Sequence, residues 1–294
     1  GSLNNWVKFA GFYWRIIRVN GNGTIRMIYQ GKANGNPSNA NKTGATTGIG
    51  TLMYNHTVDD NAYIGYMMGI PLNGTSQTRN YTSTHSSSYL GAHANAYDSD
   101  AKILLDSWYK TNIMDKEFDK YVDASTGFCN DRELRGGNGY SNIVSYYSAY
   151  YRLYNHGIGW RGEQKPSFKC ENKERDLFTL KNSENGNKSL TYPVGMISVD
   201  EVVFAGGFGY DKNQLYYLYT NQNYWTMSPA YFSKPNLNNG CGVIFSIQAD
   251  GSLSIVDIGT KFAIRPVINL KPDIKLTYNN ENAKGSEYDP FVVV

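Results

Sequence analysis

The stretch Tyr216–Asp273, YYLYTNQNYWTMSPAYFSKPNLNNGCGVIFSIQADGSLSIVDIGTKFAIRPVINLKPD, decides the fold class. It is rich in aromatic and β-branched residues, which favour strands, and turn-forming residues separate the apolar runs. The QADGS segment at 248–252 is typical of a hairpin turn. With Leu215 included, the runs predict five short strands, at 215–219, 224–227, 242–247, 253–258 and 263–270.

The chain before this stretch predicts a second hairpin and two helices. Alternating β-formers at 7–19, the turn residues NGNG at 20–23 and the following TIRMIY predict the hairpin. Helical periodicity is found at 98–113 and again, in tyrosines, at 143–154. The first helix is predicted to bury one face, made of Ile103, Leu104, Ser107, Trp108 and Thr111.

A third helical turn is predicted to begin after Ser198, with Asp200 and Glu201 near its positive end. Residues 63–68 predict one more short strand, and polar stretches at 31–50 and 73–88 predict long loops. Helices followed by a late series of strands favour an α+β fold over alternating strand–helix–strand units.

The composition favours recognition over nucleic-acid or membrane chemistry. Charged residues make up 18% of the chain, below the roughly 25% of ordinary soluble domains, and 25 tyrosines supply rigid contact area. The net charge of +3 comes without a basic run, so no nucleic-acid partner is predicted. No apolar run reaches the roughly 18 residues of a transmembrane helix, so no membrane span is predicted either.

The termini and cysteines bear on export. Gly1 and Ser2 are typical of a cloning scar, and residues 1–5 are predicted to be scar and linker, so that a signal peptide or anchor could have been removed. Cys129 and Cys170 lie in polar, loop-like segments, where a disulfide is favoured slightly over two buried thiols. Cys241 is left without a partner in that interpretation.

The order of motifs in the C-terminal stretch resembles bacterial C-type-lectin-like domains distantly related to the formylglycine-generating-enzyme fold. Tyr224, Trp225 and Ser228 come first, Asp250-Gly251 follows, and Arg265-Pro266-Val267 ends the series. More closely, the chain resembles uncharacterised surface domains of gut Firmicutes, with matching segments such as FCNDREL, YWTMSP and IRPVINLKPD. The resemblance implies one C-type-lectin-like domain at 6–294, with two helices, a C-terminal antiparallel β-meander and long loop insertions.

Some C-type-lectin-like proteins of this type are targets of diversity-generating retroelements, which vary a C-terminal window and leave the scaffold intact. Here that window would be 221–263, within a ligand-display region at about 216–270, framed by Trp225, Gly251 and Arg265. The residues predicted to contact ligand are Tyr224, Thr226, Tyr231, Phe232, Ser233, Asn236, Asn238 and Asn239. Trp225, Arg265, Cys129 and Cys170 are predicted to be structural, with Arg265 paired to Asp200 or Glu201.

Catalytic and metal chemistry finds little support. Lys234-Pro235-Asn236 places an ammonium where calcium-dependent lectins need an oxygen ligand, and the oxidase chemistry of the formylglycine-generating enzymes needs a cysteine pair where only Cys241 is present. A Cys129–His156 nucleophile has no supporting motif, and His85 and His93 lack the spacing of a zinc site. The pairs Asp200/Glu201 and Asp131/Glu133 are common surface patterns unless they converge in space. No enzyme activity, metal or cofactor is predicted.

The sequence therefore predicts an extracellular, adhesin-like binding domain of a bacterial cell surface, with a protein or a cell-surface glycan as ligand. Two alternatives stay open. A structural surface or pilus subunit would have its own neighbours as partners. A glycan-acting hydrolase would need two carboxylates, or a cysteine and a histidine, to meet in one cleft.

Overall fold

The computed structural model describes residues 3–35, 39–69, 86–154, 164–236 and 239–294. In these ranges the first nine strands are β1 (Trp6–Phe9), β2 (Phe12–Val19), β3 (Ile25–Lys32), β4 (Thr51–Met53), β5 (Met67–Met68), β6 (Tyr97–Asp98), β7 (Phe128–Cys129), β8 (Leu134–Gly136) and β9 (Ser145–Tyr147). The later strands are β10 (Leu177–Phe178), β11 (Tyr224–Asn236), β12 (Asn239–Ile247), β13 (Leu253–Asp257), β14 (Lys261–Ala263), β15 (Val267–Leu270), β16 (Leu276–Thr277) and β17 (Phe291–Val293). The α-helices of the same ranges are α1 (Asn39–Lys42), α2 (Tyr89–Ala92), α3 (Asp100–Tyr109), α4 (Lys173–Asp176) and α5 (Val199–Phe204). This content confirms the α+β class, with sheets dominant.

One sheet contains both ends of the described chain, in the order β15-β3-β2-β1-β17-β16. The β2–β3 hairpin confirms the turn predicted at 20–23. The prediction of one strand over 7–19 is wrong, because Ala10 and Gly11 form a two-residue turn with φ of 54° and 80°. That turn places Trp6 directly opposite Arg15. Asn5 accepts from Arg15 Nε and donates to the carbonyl of Ile16, so it contributes to the fold rather than to a linker.

The second sheet is built around β11, in the order β13-β12-β11-β14-β4, with β9 and β8 added on the side of β11 that faces away from β12. Strands β11, β12 and β13 form the predicted antiparallel meander. The rest of the predicted meander is wrong: residues 215–219 are not a strand, β14 lies parallel to β11, and β15 pairs with β3 in the other sheet. The chain therefore changes sheets between β14 and β15, at Arg265 and Pro266.

Helix α3 begins within two residues of the predicted start at 98, and Ser99 caps it, since Ser99 Oγ accepts from the amide of Lys102. Its inward face differs from the prediction: Ala101, Leu105 and Tyr109 are buried, whereas Ile103 is 46% exposed. Trp108 still packs, and its ring lies 5.2 Å from Phe12 and 6.1 Å from Trp14 on the first sheet. The error arose because the predicted face was chosen by apolar character, whereas a small alanine and a tyrosine fill the actual contact.

The second predicted helix, at 143–154, is confirmed only in its second half. Its first half contains strand β9, which pairs with β11, whereas the chain is helical from Ser148 and ends in a π-helix at Tyr150–Tyr154. Strand pairing prevails because it satisfies the backbone of Ser145–Tyr147 against β8 and β11 at once. Helix α5 confirms the Ser198 prediction, with a capping box between Ser198 and Glu201.

The predicted disulfide between Cys129 and Cys170 is present and joins β7 to the segment before α4. Cys241 is a free thiol. Burial raises its pKa, so the thiol stays protonated and is a poor nucleophile.

Candidate functional site

The central residues of the predicted ligand patch lie in the core. Tyr224, Thr226 and Phe232 are each fully buried, so the prediction that they contact ligand is wrong. The Tyr224 hydroxyl donates to the Leu218 carbonyl at 2.9 Å, and Thr226 Oγ1 donates to the Phe245 carbonyl at 2.6 Å. The physical reason is the position of β11, which has a strand on each side and packed layers on both faces.

The remaining predicted contacts divide into two groups. Tyr231 and Ser233 are partly exposed, but the Tyr231 ring packs 5.2 Å from Tyr150 and 5.8 Å from Tyr146. Asn238 and the side chains of Asn236 and Asn239 lie outside the described residues, as do His85 and His156. Tyr231 is thus one member of a tyrosine cluster and not an isolated anchor.

Trp225 and Arg265 are both buried, as predicted for structural residues. The Trp225 ring packs 4.9 Å from Phe262 and 5.7 Å from Tyr54. The guanidinium of Arg265 donates to the carbonyls of Tyr29 and Leu218 and to Gln30 Oε1.

The carboxylate partner predicted for Arg265 is wrong. Asp200 pairs with Arg152, and Glu201 pairs with Arg18 and Arg26. Carbonyl oxygens from two parts of the chain satisfy Arg265 instead, which suits its place where the chain passes from one sheet to the other.

An aromatic pocket of about 400 Å³ opens beside the first sheet, at the edge of the predicted display region. Strands β1 and β2, the loop before β11 and the loop before β17 all contribute to it. We call it the tyrosine pocket, and its defining residues are Trp6, Arg15, Tyr216, Tyr217, Tyr219 and Tyr288. Its volume falls in the range of about 300–1,000 Å³ that is usual for small-ligand sites.

Arg15 is the charged centre of this pocket. It is only 7% exposed, and its guanidinium lies 4.3 Å from the Trp6 ring centroid and 5.5 Å from that of Tyr217. Nε donates to Asn5 Oδ1 at 2.6 Å. Burial lowers the pKa of Arg15 to about 10, since it disfavours the charged form.

The rim of the tyrosine pocket is polar. Lys42 Nζ lies 2.5 Å from Glu287 Oε2, and this hydrogen bond to Lys42 holds the pKa of the Glu287 carboxyl below its ordinary value. Tyr288 is 76% exposed, so its ring is available at the mouth. Buried aromatic walls, one buried cation and a polar rim are the usual composition of a ligand-binding site.

Sequence reasoning missed Trp6, Arg15 and Tyr217 as site residues. A signal was present: a two-residue turn at Ala10-Gly11 places Trp6 and Arg15 opposite each other. Recognising it required dividing the 7–19 run at a glycine that follows an alanine, which is a weaker turn signal than NGNG.

A second pocket, of about 250 Å³, brings together carboxylates that are distant in sequence. Arg152 Nη2 donates both to Asp131 Oδ2 at 2.6 Å and to Asp200 Oδ2 at 2.7 Å. Arg152 Nε also donates to Asp200 Oδ1, and the Ser167 amide donates to that same oxygen. We call this the carboxylate pocket. The convergence demanded by the hydrolase alternative is therefore met by Asp131 and Asp200, and not by Asp131/Glu133 or Asp200/Glu201 as sequence pairs.

Burial raises the pKa of Asp131 to about 6, even though Arg152 opposes that shift. In the described ranges, Asp131 Oδ1 is a buried atom without a hydrogen-bond partner. A carboxyl of this kind is protonated in mildly acidic solution, where it could donate a proton. In the part of the chain that the structure describes, no group of three His, Cys, Asp or Glu side chains is placed to hold a metal ion.

Comparisons with protein-family models, with curated proteins and with solved structures found no match to this chain. Within the described ranges, no helix combines the length and the apolar character needed to span a bilayer. The function is therefore inferred from the geometry of the two pockets.

Proposed function

We propose that this chain is an extracellular, adhesin-like binding domain with a C-type-lectin-like fold, and that it binds ligand in the tyrosine pocket. The observation that carries the proposal is the pocket itself: about 400 Å³, walled by one tryptophan and four tyrosines around a buried arginine. Tyrosine and tryptophan supply large, rigid contact areas at a low cost in side-chain entropy, which is the reason that binding surfaces favour them.

The Cys129–Cys170 bond supports the extracellular part of the proposal, because disulfides persist in oxidising compartments. A bacterial cell-surface location and a glycan or protein ligand follow from the resemblance and from the aromatic site. A surface or pilus subunit would need a strand with a free edge for its neighbour. Strand β17 does not offer one, because it is paired on both sides, with β1 and β16.

Retroelement diversification is retained as a hypothesis for the exposed part of the 221–263 window alone. Variation at Tyr224, Thr226 or Phe232 would alter the core, which tolerates few changes of volume. The genome provides the test: a nearby reverse transcriptase and a near-copy of the window, mismatched at adenines that encode exposed positions. Mismatches concentrated on the codons of Tyr224, Thr226 and Phe232 would contradict the assignment of these residues to an invariant core.

The binding proposal is tested with glycan and host-protein arrays. The purified chain is compared with two pocket variants, Tyr217→Ala and Tyr288→Ala, and with Tyr210→Ala, which removes a 57% exposed tyrosine outside the pocket. Binding that is lost in both pocket variants and kept in Tyr210→Ala supports the site. Tyr210 lies 6.5 Å from Tyr154, whose ring stacks on Tyr150 of the cluster around Tyr231, so binding that is lost in Tyr210→Ala alone would move the site to that cluster. No hit with folded protein would favour the structural subunit.

A glycan-acting hydrolase is the second candidate, and Asp131 is the observation that favours it. Its raised pKa suits a general acid, and Asp200 lies beside it in the carboxylate pocket. We rank it second because Arg152 forms ion pairs with both carboxylates, as in a structural ion network. Glycan hydrolysis at pH 5 that disappears in Asp131→Asn and in Asp200→Asn would reverse this order.

A further inference from the structure

Arg15 is a buried cation with unused donors. Within the described ranges its Nε atom donates to Asn5, whereas Nη1 and Nη2 donate to no protein acceptor and no carboxylate forms an ion pair with it. A guanidinium has five N–H donors, and those on Nη1 and Nη2 stay accessible from the pocket, since neither nitrogen is among the described buried atoms that lack a partner. In Arg265, which is more deeply buried, both terminal nitrogens have acceptors in the protein. Arg15 therefore differs from a structural arginine of the same fold.

The two ring contacts determine where a partner for Arg15 can bind. Trp6, at 4.3 Å, and Tyr217, at 5.5 Å, stack on the guanidinium. Stacking leaves the planar edge of the group, with its terminal nitrogens, as the direction for hydrogen bonds. Two parallel N–H groups on such an edge match the two oxygens of one carboxylate.

The rest of the pocket restricts the ligand further. Glu287, paired with Lys42 at the rim, places a negative charge in the same pocket and disfavours a multiply charged ligand such as a phosphate. Aromatic faces suit the C–H surface of a sugar ring. Tyrosine hydroxyls together with Gln214 and Ser286 suit its hydroxyl groups.

We propose that the tyrosine pocket binds an acidic sugar residue that carries a single carboxylate, such as a uronic acid, and that Arg15 holds this carboxylate through Nη1 and Nη2. This inference rests on the proposed function and adds the class of ligand. Glu287 favours the charged form of Arg15 from a distance, but within the described ranges no carboxylate lies within ion-pair distance of Arg15. The ligand carboxylate would supply that direct partner.

The test is a titration calorimetry series with glucuronate, its methyl ester and glucose as probes. The ester keeps the ring and removes the charge. Glucuronate is expected to bind about tenfold or more tightly than either neutral probe, since hydrogen bonds between two charged groups are stronger than those between neutral groups. Arg15→Lys keeps the charge but loses the two-oxygen geometry, so it is expected to remove most of this preference. Arg135→Lys, at an exposed arginine outside the pocket, is the matched control and is expected to retain the preference.

Several results would overturn the inference. Equal affinity for glucuronate and its ester, or an unchanged preference in Arg15→Lys, excludes the carboxylate role. Tighter binding of an acetylated peptide with a free C-terminal carboxylate than of glucuronate would refute the sugar class. If Arg15→Lys fails to fold, the ester comparison still tests whether the carboxylate is recognised. The exposed Tyr288→Ala variant then tests whether glucuronate binds in the tyrosine pocket. Neutral glycans that bind through Tyr217 and Tyr288 would leave the proposed function intact and refute only this inference, whereas no binding of any array ligand would refute both.

Discussion

Removal of the Cys129–Cys170 bond has a stability effect that can be worked out from the chain. The two cysteines are 41 residues apart. The loop-closure relation for a disulfide gives a loss of about 4 kcal/mol at 25 °C for a loop of that length, because the unfolded chain gains conformational freedom. Native-state relaxation generally reduces this value, so we expect the Cys129→Ser/Cys170→Ser variant to lose about 2–4 kcal/mol.

The assay is urea unfolding followed by circular dichroism, with Cys241→Ser in both proteins to prevent thiol exchange. The free energy of unfolding is expected to fall and the slope with urea to rise, since the unlinked chain exposes more surface when unfolded. Non-reducing peptide mapping provides the control that the bond is present in the reference protein. If the free energy of unfolding of the disulfide-bonded reference protein is less than about 1 kcal/mol above that of the variant, the loop-entropy reasoning is refuted.

Three further perturbations have expected outcomes. Trp225→Ala should reduce the free energy of unfolding by about 3–5 kcal/mol in urea denaturation, because it removes the buried apolar ring and leaves a cavity in the core. Asp131 has a raised folded pKa, so the stability it contributes is complete below the unfolded pKa of 3.8 and is lost as the pH rises through about 6. Relative to Asp131→Asn, the unchanged protein should lose about 2.4 kcal/mol between pH 4 and pH 7 in the same assay. His93 has a lowered folded pKa because of burial and of nearby Arg132 and Arg175, so its contribution is present above the unfolded pKa of 6.5 and is lost as the pH falls. Relative to His93→Gln, whose amide can still donate to the Gly139 carbonyl, stability should fall below pH 6.5 by at most about 1.4 kcal/mol per pH unit.

The controls for these three predictions are specific to each. Tyr288→Ala, at an exposed position, should change stability by less than about 0.5 kcal/mol and so calibrates the Trp225 result, which fails if the loss is below about 1 kcal/mol. Parallel pH profiles for Asp131→Asn and the unchanged protein would show that Asp131 titrates alike in both states. For His93, a profile that rises toward acid relative to His93→Gln would reverse the assigned direction of the pKa.

The sequence by itself determined the features that depend on neighbouring residues. The NGNG turn, the Ser198 capping box, the Ser99 cap of α3 and the β11–β13 meander follow from local turn chemistry and strand propensity. The α+β class follows from the same signals. These features are readable because a few adjacent residues provide most of the energy that specifies them.

Only the tertiary structure decided which residues are exposed. Tyr224 and Tyr217 belong to the same tyrosine-rich stretch, yet one is buried in the middle of a sheet and the other lines a pocket. The difference comes from β14 and β9, which cover the open edge of β11 from distant parts of the chain. Arg15 and Arg265 likewise have the same side chain and similar burial. The long-range pairings provide acceptors for the terminal nitrogens of Arg265 and not for those of Arg15, and no local pattern records that difference.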